Sequence, residues 1–128
     1  MNIRNEEVCG QICVIMQENF EQGVDRGDVV EVNTGGEVLR QFSGSRPSAL
    51  GLTTHVAIDS YGNIFVADCN NRRILLLDVH LSLHRVIIDE HQLNYEEPHR
   101  LCYREQSGQL WVGLWGEGVV AVFDVLCR

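Results

Sequence analysis

The sequence predicts an all-β fold built from repeated units of short strands, and three observations indicate this. The segment at 62–68 is answered by a similar segment at 108–114, an offset of 46 residues. Turn residues, above all glycine and asparagine, separate short apolar runs. No window of about 11 residues sustains a helical period. Units of about 45 residues with four short strands each are typical of a β-propeller.

The middle unit predicts four strands. The glycine and asparagine of the turn at 60–63 supply the positive φ angles that tight hairpins need. A polar corner at Asp68–Arg73 separates the second strand from the third. In chain order, the strands are expected at 56–58, Ile64–Ala67, Ile74–Leu77 and 81–88.

Two further copies flank the middle unit. In the last unit, 120–124 lies over 74–78 without a gap. Upstream, Gly10–Ile15 lies over 62–67, and Val29–Asn33 lies over 74–78. The polar segment Gln17–Gly27 between them is predicted to be a longer loop. The three units are therefore expected to hold three, four and three strands, against roughly 24 in a six-bladed ring.

One family shares the pattern of the middle unit. His55–Asp68, followed by Asn71 and Arg73, closely resembles an NHL repeat: an apolar strand ending in Asp, a Gly-Asn turn, and a strand ending in Ala-Asp. The last unit resembles the final blade of invertebrate tripartite-motif NHL proteins, because it contains Leu110–Gly113 and ends shortly after Phe123-Asp124. The resemblance covers roughly residues 8–128. Leu114 and Val119 depart from it, because they stand where Asp68 and Arg73 stand in the middle unit.

The resemblance implies an all-β partial β-propeller of about three four-stranded NHL-type blades, with the first and last incomplete. Residues 1–7 are expected to be an N-terminal extension, and 8–128 a propeller fragment with units at about 8–53, 54–97 and 98–128. The chain is then expected to be a C-terminal half, either a fragment or a truncated gene model. The remaining half would belong to the same parent chain, or a second copy would take its place.

The functions that this resemblance implies are of three kinds. Tripartite-motif NHL proteins are typically RING-type ubiquitin ligases whose propeller recognises substrates, but no RING, B-box or coiled-coil pattern occurs in this sequence. The leading expectation is therefore a non-catalytic protein-interaction module. The alternatives are an RNA-binding NHL propeller and a fragment of a metal-dependent lactonase or lyase. Such enzymes aim ligands at a central channel, whereas the corresponding positions here are Ile15, Ala67 and Gly113.

Charge and hydropathy narrow the range of partners and locations that the sequence predicts. The net charge is −8, and nucleic-acid binding usually requires a basic footprint. A protein partner is therefore favoured over RNA. The longest apolar runs are far shorter than the roughly 20 residues of a membrane span, and the first residues lack the apolar core of a secretory signal. No membrane partner and a cytoplasmic location are expected.

The five cysteines are odd in number and include no C-x-x-C pair. We expect reduced, filler cysteines, with a disulfide or a metal site as the less favoured alternatives. No cofactor and no catalytic residue is predicted. His80 with His84, and the run Asp89–His91, are expected to be solvated loop or hairpin residues.

The candidate binding residues follow from propeller geometry. The loops after the second and fourth strands of each blade emerge at one end of a propeller. Aromatic residues and arginine dominate interface energetics, and the loops carry five of them: Phe20, Arg46, Arg72, Tyr95 and Trp115. Asp68, Asn71 and Arg73 are instead expected to be the structural corner of the repeat.

Overall fold

The chain is all-β. A computed structural model describes residues 11–19, 24–45, 48–49, 53–115 and 118–125, and these contain no α-helix and one short 3-10 turn, Cys69–Asn71. The strands are β1 (Gln11–Asn19), β2 (Val24–Val32), β3 (Val38–Phe42), β4 (Gly44–Ser45), β5 (Ser48–Ala49), β6 (Thr53–Ile58), β7 (Ile64–Asp68), β8 (Arg73–Leu77), β9 (Leu83–Ile88), β10 (Pro98–Arg104), β11 (Gln109–Leu114) and β12 (Val120–Asp124).

The strands form three antiparallel meanders and one small hairpin. The first sheet has the order β1-β2-β3, the middle sheet β6-β7-β8-β9, and the last sheet β10-β11-β12. The strands β4 and β5 pair separately between the first and middle sheets. The three larger sheets thus hold three, four and three strands, the numbers that the repeat predicts. None of them closes on itself within the described residues.

The prediction of a long polar loop at Gln17–Gly27 is wrong. Strand β1 continues to Asn19 and β2 begins at Val24, with Gln17 paired to Arg26 and Asn19 to Val24. Polarity indicated a loop because strands usually carry an apolar face. An antiparallel pair satisfies its backbone hydrogen bonds whatever its side chains are, so a polar hairpin can extend beyond the packed part of a sheet.

The two central strands of the middle sheet, β7 and β8, are buried on both faces. On β7, Phe65 and Ala67 pack toward the last sheet, whereas Ile64 and Val66 pack toward the first. Strand β8 alternates in the same way, with Ile74 and Leu76 on one face and Leu75 and Leu77 on the other. This double burial explains why both strands are continuous apolar runs rather than alternating ones.

One five-residue turn occurs three times in the described part of the chain. The side-chain Oδ1 of its first residue accepts two backbone N–H bonds, from the third and fifth residues. The first residues are Asn33, Asp59 and Asp78, and the fourth residue has a left-handed φ in each copy. In the third copy the fourth residue is Leu81, whose buried side chain packs between the first and middle sheets.

The strand registers reproduce the repeat in the middle and last units. Ile64 pairs with Leu77, and 46 residues later Leu110 pairs with Phe123. The upstream copy is shifted by one residue, because Ile12 pairs with Glu31 where the repeat would align it with Val32. The described residues include no helix long and apolar enough to cross a membrane.

Candidate interaction surface at the corner end

A buried ionic corner ends the second strand of the middle sheet. Asp68 is fully buried, and its Oδ2 accepts hydrogen bonds from Asn71 Nδ2 at 3.0 Å and Arg73 Nε at 2.7 Å. Arg73 is the cross-strand partner of Asp68 on β8. The carboxylate thus holds the short 3-10 turn and the start of β8 together. We call the end of the sheets at which this corner lies the corner end.

Arg72 leaves this corner toward solvent. It is the residue that terminates the 3-10 turn, its φ is 51°, and its backbone N–H donates to the Cys69 carbonyl oxygen at 3.0 Å. Its side chain is exposed. A left-handed backbone costs most residues roughly 1–2 kcal/mol, and glycine adopts it without that cost.

Trp115 lies at the corresponding corner of the last sheet, and the two corners touch. Its ring stacks on His99 with centroids 4.5 Å apart, and its backbone N–H donates to the Glu97 carbonyl oxygen at 2.9 Å. Burial raises the pKa of the Cys69 thiol, and the nearby side chain of Trp115 opposes that rise. Even so, 53% of Trp115 remains exposed.

Tyr95 lies in the connection between β9 and β10. Leu93 fixes this connection by packing into the core between the middle and last sheets. Tyr95 itself has a φ of 60°, is exposed, and hydrogen-bonds through its hydroxyl to His91 Nδ1 at 2.6 Å. The structure therefore holds Arg72, Tyr95 and Trp115 at the corner end with exposed side chains, and it brings the corners of Arg72 and Trp115 into contact.

The remaining two candidates, Phe20 and Arg46, lie outside the described residues. Sequence reasoning missed His99 and Cys69, which support Trp115. The offset of 46 residues makes Cys69 and Trp115 equivalent positions of adjacent units, but equivalence in a repeat does not by itself predict contact. His99 gave no signal either, since it stands at the start of β10, next to a register shift.

A polar link joins the middle and last sheets. His55 Nδ1 accepts a hydrogen bond from the backbone N–H of Leu101 at 3.0 Å, so this nitrogen carries no proton. Burial lowers the pKa of His55, and the charges of Arg100 and His99 lower it further. A second link runs from the backbone N–H of Ser60 to Glu105 Oε1 at 2.8 Å.

The histidine and acidic residues that the sequence analysis assigned to loops and hairpins lie at the surface. His80, His84 and the run Asp89–His91 are exposed. Among the described side chains, no three histidine, cysteine or acidic residues converge as metal ligands do. Cys69 and Cys102 are free thiols. The other three cysteines have no described side chains.

No protein-family model matches the chain, and none of the curated proteins matches it.

Proposed function

We propose that the three large sheets are NHL-type propeller blades and that the chain is a non-catalytic interaction module whose corner end binds a protein partner. In this proposal the chain is similar to the substrate-recognition propeller of a tripartite-motif ubiquitin ligase, without the ligase parts.

Three features support the assignment to blades. Consecutive meanders of three, four and three strands stack face to face through two apolar cores. The register of the middle unit returns in the last unit, and the same capped turn occurs at Asn33, Asp59 and Asp78. The first strand of one meander lies against the first strand of the next, where His55 on β6 binds the backbone of β10. Repetition of one meander with a constant stacking is what propellers share.

The observation that carries the functional proposal is the pair of adjacent corners bearing Arg72 and Trp115. Both side chains are exposed. Arg72 ends the 3-10 turn that follows β7, Trp115 directly follows β11, and the core-facing residues of both strands are buried. A rigid scaffold that presents arginine and tryptophan on loops matches what interface hot spots require. Arg72 and Tyr95 also hold left-handed backbones that glycine would adopt with less strain, so folding alone does not explain their side chains.

A protein partner is favoured over RNA on electrostatic grounds. The chain carries a net charge of −8. Acidic residues, including Glu90, Glu96 and Glu97, accompany Arg72 and Tyr95 at the corner end. RNA affinity rests largely on phosphate neutralisation by basic residues. An aromatic and arginine surface within an acidic field fits a polypeptide better.

The experiment uses peptides selected from a displayed random library against the chain. The affinity of the best peptide is then measured by fluorescence anisotropy for the parent, Trp115→Ala and Arg72→Ala. We expect each substitution to weaken binding by about tenfold or more, the loss typical of a hot-spot residue. Tyr61→Ala is the matched control, because Tyr61 is a more exposed aromatic residue in the turn at the opposite end of the sheets.

Two results would count against the proposal. One is a selected peptide that binds Trp115→Ala and Arg72→Ala as tightly as it binds the parent. The other is binding of a random-sequence RNA pool with sub-micromolar, strongly salt-dependent affinity, which would assign the chain to the RNA-binding class.

A further inference from the structure

The last sheet has an exposed outer face that faces away from the middle sheet. Its three strands alternate, so Leu110 and Val112 point into the core while the residues between them point outward. The outward face includes Trp111, Val120 and Val122, which are 37%, 56% and 45% exposed. Because Trp111 and Val122 are direct cross-strand partners, their side chains form a contiguous apolar patch on this face.

The outward side chains form three rows across the sheet, as the strand registers show. The first row is Arg104, Gln109 and Asp124; the second is Cys102, Trp111 and Val122; the third is Arg100, Gly113 and Val120. In each row the three residues lie on β10, β11 and β12 in that order. An apolar central row is thus flanked by a row whose two ends carry opposite charges.

The charges of the first row do not neutralise each other within one chain. Arg104 and Asp124 lie on the two outer strands, about 10 Å apart at the usual strand spacing. Instead, the Arg104 guanidinium carbon lies 5.4 Å from the ring centroid of Trp111, which keeps the cation on the outward face.

We propose that the occupant of this face is the same face of a second copy of the chain. A two-fold axis parallel to the strands and above β11 keeps each row in place and exchanges the two outer strands. Arg104 then lies opposite Asp124 of the second copy, and Asp124 opposite Arg104 of the second copy. Such an arrangement is self-complementary and closes at two chains.

The same two-fold axis also places apolar side chains of one chain opposite apolar side chains of the second copy. Trp111 meets Trp111 of the second copy, and Cys102 lies opposite Val122 of the second copy. Arg100 covers Val120 of the second copy with its aliphatic stem while its guanidinium stays in water. No row places two like charges opposite each other. The proposal does not rest on the corner-end function, because it uses a different surface.

The size of the face indicates a weak, reversible dimer. Three strands and three rows cover roughly 15 by 20 Å, from a strand spacing of about 4.8 Å and a rise of about 3.4 Å per residue. At roughly 300 Å² per chain, this is well below the roughly 800 Å² per partner of a standard specific interface. We therefore expect association in the micromolar range rather than the nanomolar range.

The test is charge reversal followed by sedimentation equilibrium, from about 1 µM to about 1 mM protein. We expect the parent to dimerise reversibly. Arg104→Asp and Asp124→Arg should each raise the dimer dissociation constant by about tenfold or more, because each sets like charges opposite each other at two symmetric contacts. The double variant should regain the parent constant.

Mixing the two single variants gives the sharpest outcome. In a mixed pair, one chain presents two acids and the other two bases, so a heterodimer should form although neither variant dimerises alone. A monomeric parent, single variants that dimerise like the parent, or masses that grow without limit would each overturn the proposal. A monomeric parent would mean that a further sheet or another protein, not a second copy, covers this face.

A second measurement guards against a variant that fails to fold. Val122→Cys places a thiol opposite Cys102 of the second copy, so mild oxidation should give a disulfide-linked dimer on a non-reducing gel. Adding Cys102→Ser should abolish that dimer. A crosslink that persists without Cys102 would contradict the proposed axis.

Discussion

At the scale of single residues, burial decides which charges hold the fold. Two arginine–carboxylate pairs are described, and their distances are similar, 2.7 Å for Arg73–Asp68 and 2.6 Å for Arg40–Glu31. They differ in exposure, because the arginine side chain is 15% exposed in the first pair and 47% in the second. A buried carboxylate that loses its partner keeps the cost of desolvation, whereas water replaces a half-exposed partner.

We therefore expect Arg73→Met to lower the free energy of unfolding by about 3 kcal/mol or more. Arg40→Met removes the same charge from a pair whose carboxylate is 7% exposed but whose arginine lies half in water, so it should cost less, about 1–2 kcal/mol. Urea denaturation followed by tryptophan fluorescence measures both. Equal losses in the two variants would contradict the role assigned to the Asp68 corner.

His55 makes stability depend on pH. The pKa of His55 is lowered in the folded chain, by burial first and then by Arg100 and His99. The unfolded chain, with a histidine pKa of about 6.5, therefore binds the proton at a higher pH than the folded chain does. The folded chain therefore keeps its full stability above about pH 6.5 and loses stability as the pH falls below that value, because the unfolded chain then binds a proton at His55 that the folded chain resists.

Thermal melts at about pH 7.5 and about pH 5 test this difference. His55→Asn keeps an acceptor for the Leu101 N–H but cannot take up a proton, so its melting temperature should fall less between the two conditions than that of the parent. His84→Asn, at an exposed position on β9, should keep the full pH dependence. A parent-like pH dependence in His55→Asn would remove His55 as the cause.

At the scale of elements, the same substitution should have different costs on different strands of the middle sheet. Val66 on β7 is fully buried between two sheets, whereas Val86 on β9 is 42% exposed. Threonine has nearly the shape of valine, and the hydroxyl is the difference between them. A hydroxyl buried without a partner costs about 1–3 kcal/mol, and an exposed one costs little.

Val66→Thr should thus lower the free energy of unfolding by about 1–3 kcal/mol, and Val86→Thr should change it by less than about 0.5 kcal/mol. Chemical denaturation of the two variants and the parent measures these free energies and tests the difference. If Val66→Thr proved neutral, β7 would not be buried on both faces.

At the scale of the whole molecule, the middle sheet joins the first and last sheets through two separate apolar cores. Phe65 and Leu110 belong to the core toward the last sheet, and Val29 and Leu75 to the core toward the first. The backbone amides of β7 and β8 are hydrogen-bonded on both sides within the sheet and are covered on both faces. They should open only with the whole structure.

Native-state hydrogen exchange should therefore find the slowest amides in β7 and β8 and faster exchange in the edge strands β3 and β12. Leu110→Ala should lower protection in β7 and β11 together, since the side chain packs between their sheets. Protection lost in β11 alone would mean that the last sheet opens as an independent unit.

The amino-acid sequence was enough to predict the all-β class, the number of strands in each large sheet, and the turn at 60–63 and the corner at 68–73 of the middle sheet. These follow from local chemistry: glycine and asparagine at left-handed positions, and apolar runs of strand length. The gapless offset of 46 residues in the sequence is matched by the strand registers of the middle and last sheets. The polar hairpin of β1 and β2 escaped prediction, because backbone pairing needs no apolar pattern.

Which side chains contact each other follows from the tertiary fold and could not be predicted from the sequence. The stacking of Trp115 on His99, its contact with Cys69, and the bond from Leu101 to His55 join residues from different strands, turns or sheets. The outward rows of the last sheet likewise depend on registers that strand patterns do not specify. Local propensity fixes strands and turns residue by residue, whereas a contact between sheets depends on how whole faces pack. Packing is a property of the assembled core.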